Sequence, residues 1–82
     1  MNTAQTIEFH ATRIVIDWEW TQCADGEMRK YSYVVAVADV GDWVCEKRFA
    51  SGEHWEPAVQ RAVDAAMAEF DIPPSSVIDM RD

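Results

Sequence analysis

The sequence is poor in glycine, proline, cysteine and positive charge, and it has no long apolar run. Each scarcity removes a class of function. Gly26, Gly41 and Gly52 stand apart from one another, so no glycine-rich loop is available to cradle a phosphate. Cys23 and Cys45 lie 22 positions apart with no second pair, which is neither a disulfide scaffold nor the ligand spacing of a zinc site. No stretch approaches the roughly 20 apolar residues of a membrane span. The opening segment "MNTAQTIEFH" has neither the basic nor the apolar region of a signal peptide. Seven Lys and Arg stand against 15 Asp and Glu, a net charge of -8. Phosphate binding needs clustered cations, so naked nucleic acid is an unsuitable partner. These absences lead to the expectation of a cytoplasmic protein with reduced cysteines, no metal and no cofactor.

What is present is bulk. The 82 residues include four Trp, three Phe and two Tyr, and 49% are hydrophobic, which argues against disorder. The length suits one small domain over 1–82, with a modest fraction of its surface buried. Residues 1–5 are polar and are expected to be frayed. From 6 to about 50 the apolar period is two, which predicts antiparallel strands. "IVIDWEW", Ile14 to Trp20, is the cleanest case: Ile14, Ile16, Trp18 and Trp20 alternate with Val15, Asp17 and Glu19. Upstream, Ile7, Phe9 and Ala11 run in the opposite phase, so a bulge, a bend or a separate strand is expected near 10–13.

"ADGE" reads as a four-residue hairpin loop pairing Cys23 with Met28, and "DVG" as the start of a three-residue loop pairing Ala38 with Asp42. This register sets Trp18 opposite Tyr33 and Ile14 opposite Val37. It places Tyr31, Tyr33, Val35 and Val37 on the face shared with Trp43, Cys45, Lys47 and Phe49. After residue 50 the period becomes helical. Trp55, Val59, Ala62, Val63, Ala66, Met67 and Phe70 form a stripe over 55–70, Pro57 suits a first turn, and "DIPPSS" ends the element. The remainder, 71–82, is a tail or contains a short strand at "VIDM". The predicted fold class is α+β, a three-stranded antiparallel sheet in β-β-β-α order with one helix packed on one face and a possible fourth strand.

In that register the face away from the helix carries Val15, Val34 and Val44 at its centre, with Asp17, Glu19 and Glu46 around them. An apolar strip rimmed by charge suits a protein-binding or homodimer face. Ordinary strand propensity on a solvated face gives the same pattern, as does a strip covered by 6–11 or 77–80. The four tryptophans are expected in the core, with Trp20 and Trp55 the most exposed of them. Asp17 and Glu19, two apart on one strand, are the only carboxylate pair that suggests chemistry. No nucleophile and base accompany them, so no catalytic residues and no enzymatic activity are expected.

Three resemblances bear on function. "YVVAVADVGDWVCEKRFASGEHWEPAVQRAVDAAMAEF" looks like the strand-turn-strand-helix run of HicB-type antitoxins, with "ADVGDW" where that family has a proline-rich turn. The β-β-β-α order is similar to the double-stranded-RNA-binding domain, although "HWEPAVQ" has no lysine where that family has a lysine-rich helix start. Over the whole chain, size, acidity and architecture resemble the small phage-encoded anti-CRISPR proteins. That last resemblance implies a stoichiometric inhibitor, which docks on a nucleic-acid-binding host protein or a CRISPR effector and blocks it sterically or by phosphate mimicry. Antitoxin-like or regulatory binding, or homo-oligomerisation through the outer sheet face, are the alternatives.

Overall fold

The computed structural model describes residues 9–81. Three long strands come first: β1 (Arg13–Gln22), β2 (Met28–Val40) and β3 (Trp43–Glu53). The helix α1 (Glu56–Phe70) follows, then a 3₁₀ turn over Pro74–Ser76 and the short strand β4 (Val77–Asp79). The sheet order is β3-β2-β1-β4, antiparallel except for β4, which lies parallel to β1. The chain is thus α+β, with the predicted helix and the fourth strand both present. The expectation of a frayed start over 1–5 lies outside the described residues.

Local chemistry sets the turns. Between β1 and β2 the Cys23 N–H donates to the Glu27 carbonyl at 2.8 Å, and the Asp25 carboxylate accepts from the Glu27 N–H at 3.0 Å. Gly41 and Asp42 alone connect β2 to β3, because Val40 pairs with Trp43. Gly41 takes a φ of 61°, which the first central position of a type II′ hairpin turn requires and a Cβ would oppose. At the end of α1, Asp71 adopts the left-handed conformation. Its N–H and that of Ile72 both return to the Met67 carbonyl, which drops Ile72 into the core.

The core lies between one sheet face and α1. Ile14, Ile16, Val34 and Ala36 meet Val59, Val63 and Ala66. Burying Val59 and Val63 contributes roughly 1.5–3 kcal/mol each. The register of β3 against β2 shifts twice beyond Arg48, and at the first shift both Phe49 and Ala50 pack toward the helix. Phe49 and Phe9 each set an edge against Phe70, at 6.0 and 5.3 Å between ring centres. Phe9 and Ala11 therefore belong to the helix side, in the phase opposite to β1, and the strand itself begins only at Arg13.

The predicted register needs correction. Ile14 pairs with Ala36, not Val37, and Trp18 with Ser32, not Tyr33. Cys45 pairs with Ala38, not Val35. The first loop has five residues rather than four, and the second has two rather than three. Both errors shift the register by an odd number, so both invert β2 while leaving β1 and β3 correctly faced. Ser32, Val34 and Ala36 face the helix, and Tyr31, Tyr33, Val35 and Val37 face away. The reason is steric. α1 crosses the central strands closely through Val59, Val63 and Ala66, and only small side chains on β2 leave room for it.

A clamp at the far end of the core joins three elements. Arg81 follows β4 and turns its side chain across the helix side of the sheet. Nη1 donates to Glu56 at 2.7 Å and to the Ser32 hydroxyl at 2.9 Å, while Nη2 and Nε hold Asp79 at 2.9 and 3.0 Å. The guanidinium lies 5.6 Å from the centre of the Trp18 ring. Ser32, the one buried polar side chain among the described residues, is satisfied by this contact.

Candidate functional site

The sheet face away from α1 is where the predicted carboxylates meet. Asp17 pairs with Tyr33 and Glu19 with Tyr31 across the first hairpin, and Glu46 pairs with Val37 across the second. Arg48 lies over the Tyr33 ring at 4.9 Å and bonds Glu19 at 2.8 Å. The other Glu19 oxygen accepts from the Gly52 N–H at 3.2 Å. Burial and the neighbouring charges of Asp17 and Glu46 push the Tyr33 phenol above its ordinary pKa, against the pull of Arg48. Asp17, Glu19 and Glu46 thus share one electrostatic neighbourhood, centred on Tyr33.

The apolar part of the predicted site fares differently. Val15 is half-buried on this face and Val44 is exposed near the β2–β3 turn. Val34 is on the opposite face and wholly buried at 0% exposure, a consequence of the inverted β2. Val35 and Val37 take its place, but they are only 2% and 3% exposed. The centre of the outer face is accordingly closed rather than an open apolar strip. Residues 77–80 do not lie over it: β4 extends the sheet and sets Ile78 beside Val15. Residues 9–11 lie on the helix side, and 6–8 fall outside the described residues.

Charge is the more telling property. All seven Lys and Arg lie among the described residues, and each is engaged within the chain. Arg13 pairs with Asp39, Arg29 with Asp25, Lys47 with Glu69, Arg48 with Glu19, and Arg81 with Glu56 and Asp79. Lys30 and Arg61 sit over the Trp18 and Trp55 rings at 5.0 and 5.1 Å. Lys47, on the helix side of β3, meets Glu69 of α1 at 3.0 Å. Among the described residues, Asp17, Glu27, Asp42, Glu46, Glu53, Asp64 and Asp71 form no ion pair. Exposed pairs contribute little stability. Their consequence is electrostatic: five of the seven cations are matched by carboxylates, Lys30 and Arg61 keep their charge over indole rings, and the acids remain in surplus.

The tryptophans also correct an expectation. Trp20, Trp43 and Trp55 are 66%, 76% and 56% exposed, and Trp18 is about a third exposed. None is a core residue. A 15-residue helix is about 22 Å long, whereas the 10 residues of β1 extend about 33 Å. The helix therefore cannot cover the whole sheet, and its alanine-rich stripe has too little reach to enclose four indoles. That shortfall in length was the available sequence signal. Exposed Trp is the residue type most enriched at binding hot spots.

Among the described residues there is no enclosed cavity, no helix long and apolar enough to cross a membrane, and no cluster of three or more metal-ligating side chains. Cys23 and Cys45 are free thiols, Cys23 lying 3.5 Å from the Tyr31 hydroxyl. The chain matches no protein-family model, no curated protein and no solved structure.

Proposed function

We propose that this protein acts by binding another protein, presenting carboxylates to a basic surface that otherwise holds nucleic acid. The supporting observation is the disposition of charge. Every cation is spent internally, while seven described carboxylates remain without an ion pair. A carboxylate satisfies Lys and Arg much as a phosphate does. In this reading Asp17 and Glu46 are the primary charged contacts, Glu19 is held within the chain by Arg48 and the Gly52 N–H, and Val15 and Val44 are flanking apolar contacts. Blocking of a host nucleic-acid-binding complex, in the manner of an anti-CRISPR inhibitor, is the form of activity this chemistry suits.

Capture from a host lysate at about 50 and 500 mM salt, with wild type and Asp17→Lys/Glu46→Lys as baits, tests the reading. Contacts of this kind are screened by salt and speed association. The captured protein should be lost at the higher salt, displaced by added duplex DNA, and reduced at least tenfold with the double variant. Equal capture by both baits at both salts would show that acidity does not drive the binding.

A further inference from the structure

The sheet has an unfilled position. β4 pairs with β1 only from Ile14 to Ile16, whereas β1 runs on to Gln22. The Met80 N–H donates to the Ile16 carbonyl, so the even-numbered residues of β1 aim their backbone groups away from β2. Beyond Ile16 these residues are Trp18, Trp20 and Gln22. The Trp18 N–H is taken by the carboxylate of its neighbour Asp17 at 2.8 Å. Among the described residues no strand or side chain meets the Trp18 carbonyl, either backbone group of Trp20, or the Gln22 N–H.

We infer that the β1 edge from Trp18 to Gln22 accepts an extended segment of the protein partner as a fifth strand. This deepens the acidic-binder reading and rests on it for the sign of the partner's charge. Side chains of an antiparallel addition meet those of β1 in two rows. On the outer row, Asp17 and Glu19 occupy the closely spaced, non-hydrogen-bonded positions; Asp17, which forms no ion pair, calls for Lys or Arg, whereas Glu19 is already held by Arg48 and the Gly52 N–H. On the inner row, Trp18 and Trp20 call for apolar or β-branched residues. The fitting occupant is therefore an extended segment in which basic and apolar residues alternate. The open edge of β3 is less suited. β3 shifts register twice beyond Arg48 and carries Lys47 and Arg48, and bulges and cations both discourage strand addition. β1 has no register shift against β2 over its whole length. Asp17 acts as a guard at the near end, closing one donor until a competing strand displaces it.

The probe is the capped hexapeptide Ac-Arg-Val-Arg-Val-Arg-Val-NH2, beside the same peptide with proline replacing the central valine. Amide exchange and titration by NMR provide the readout. The regular peptide should bind saturably and slow exchange of the Trp20 and Gln22 amides at least tenfold. The proline peptide, equal in charge but unable to complete the ladder, should bind at least tenfold more weakly. Trp20→Ala removes an exposed ring and Gln22→Pro an unpaired N–H; each should weaken binding about tenfold, with the circular dichroism of the fold retained. Equal binding of the two peptides, or unchanged exchange at Trp20, would overturn the edge and leave the acidic reading standing. Salt-insensitive capture from lysate with proline-sensitive peptide binding would do the reverse. A dimer in solution that Gln22→Pro dissociates would give the edge to a second copy of this chain and overturn the proposal.

Discussion

Val34→Asp is expected to leave the chain unfolded at 25 °C, seen as loss of the far-ultraviolet circular dichroism of the sheet. Val34 has no exposed surface and packs among Ile16, Ala36 and the α1 valines. An aspartate there would be a buried carboxylate in an apolar core, or a protonated acid with unmet hydrogen bonds. Either costs about 4 kcal/mol or more. A domain of 82 residues has roughly 4–12 kcal/mol in total. Val34→Ala should be milder, about 2–3 kcal/mol for two lost methyl groups and the cavity they leave. Had Val34 faced outward, as alternation alone suggests, both changes would lie within about 0.5 kcal/mol of wild type. An unchanged thermal midpoint for Val34→Asp would therefore restore the opposite facing of β2.

Arg81→Ala is the second large effect. The Arg81 side chain is only 11% exposed, and its guanidinium joins β4, the first turn of α1 and Ser32 of β2. Truncation strands the buried Ser32 hydroxyl and frees Glu56 and Asp79 together. The expected loss is about 2 kcal/mol, or about 8–16 °C in Tm for a domain of this size. Arg81→Lys keeps the charge but loses the planar fork, so it should recover less than half of that loss. The clamp also has a pH signature. The bond from Arg81 holds the Asp79 carboxyl below the usual carboxylate range. A folded-state pKa that is depressed contributes stability above the unfolded value, and that contribution disappears as pH falls through the folded one. Wild type should thus lose part of its advantage over Arg81→Ala as pH falls below the ordinary carboxylate range. A difference in Tm that stays constant over that fall in pH would remove Asp79 from the clamp.

The sequence made some of this legible and concealed the rest for identifiable reasons. β1 alternates between apolar and charged residues from Ile16 to Trp20, so the outward facing of Asp17 and Glu19 could be read directly; β3, with Trp43, Val44 and Cys45 followed by Glu46, Lys47 and Arg48, does not alternate, and Glu46 is correctly faced because the two loop errors cancel. β2 cannot be read that way. Its segment from Val34 to Ala38 is apolar on both faces, and its phase rested on two loop lengths alone. Each loop was misjudged by an odd number, so the two hairpins agreed with each other and were wrong together. The deciding constraint was the separation of helix from sheet, which favours Ser32 and Ala36 over Tyr31 and Tyr33 beneath α1. Bulk misled in the same way at Trp20, Trp43 and Trp55, since size measures what burial could yield and not whether anything lies above the ring. The Arg81 clamp left no pattern to find, because it depends on a parallel strand that returns to β1 from the far end of the chain.

The exposed indoles carry a practical consequence. Tryptophan emission reports the polarity around the ring, and in this protein three of the four rings already stand mostly in water in the folded state. Unfolding changes their surroundings little. The native protein should emit near the wavelength of free indole in water, and denaturant should shift that maximum only slightly. Judged by fluorescence alone, an intact preparation would look denatured. A bound partner that dries Trp20 should move the emission further to the blue than folding does.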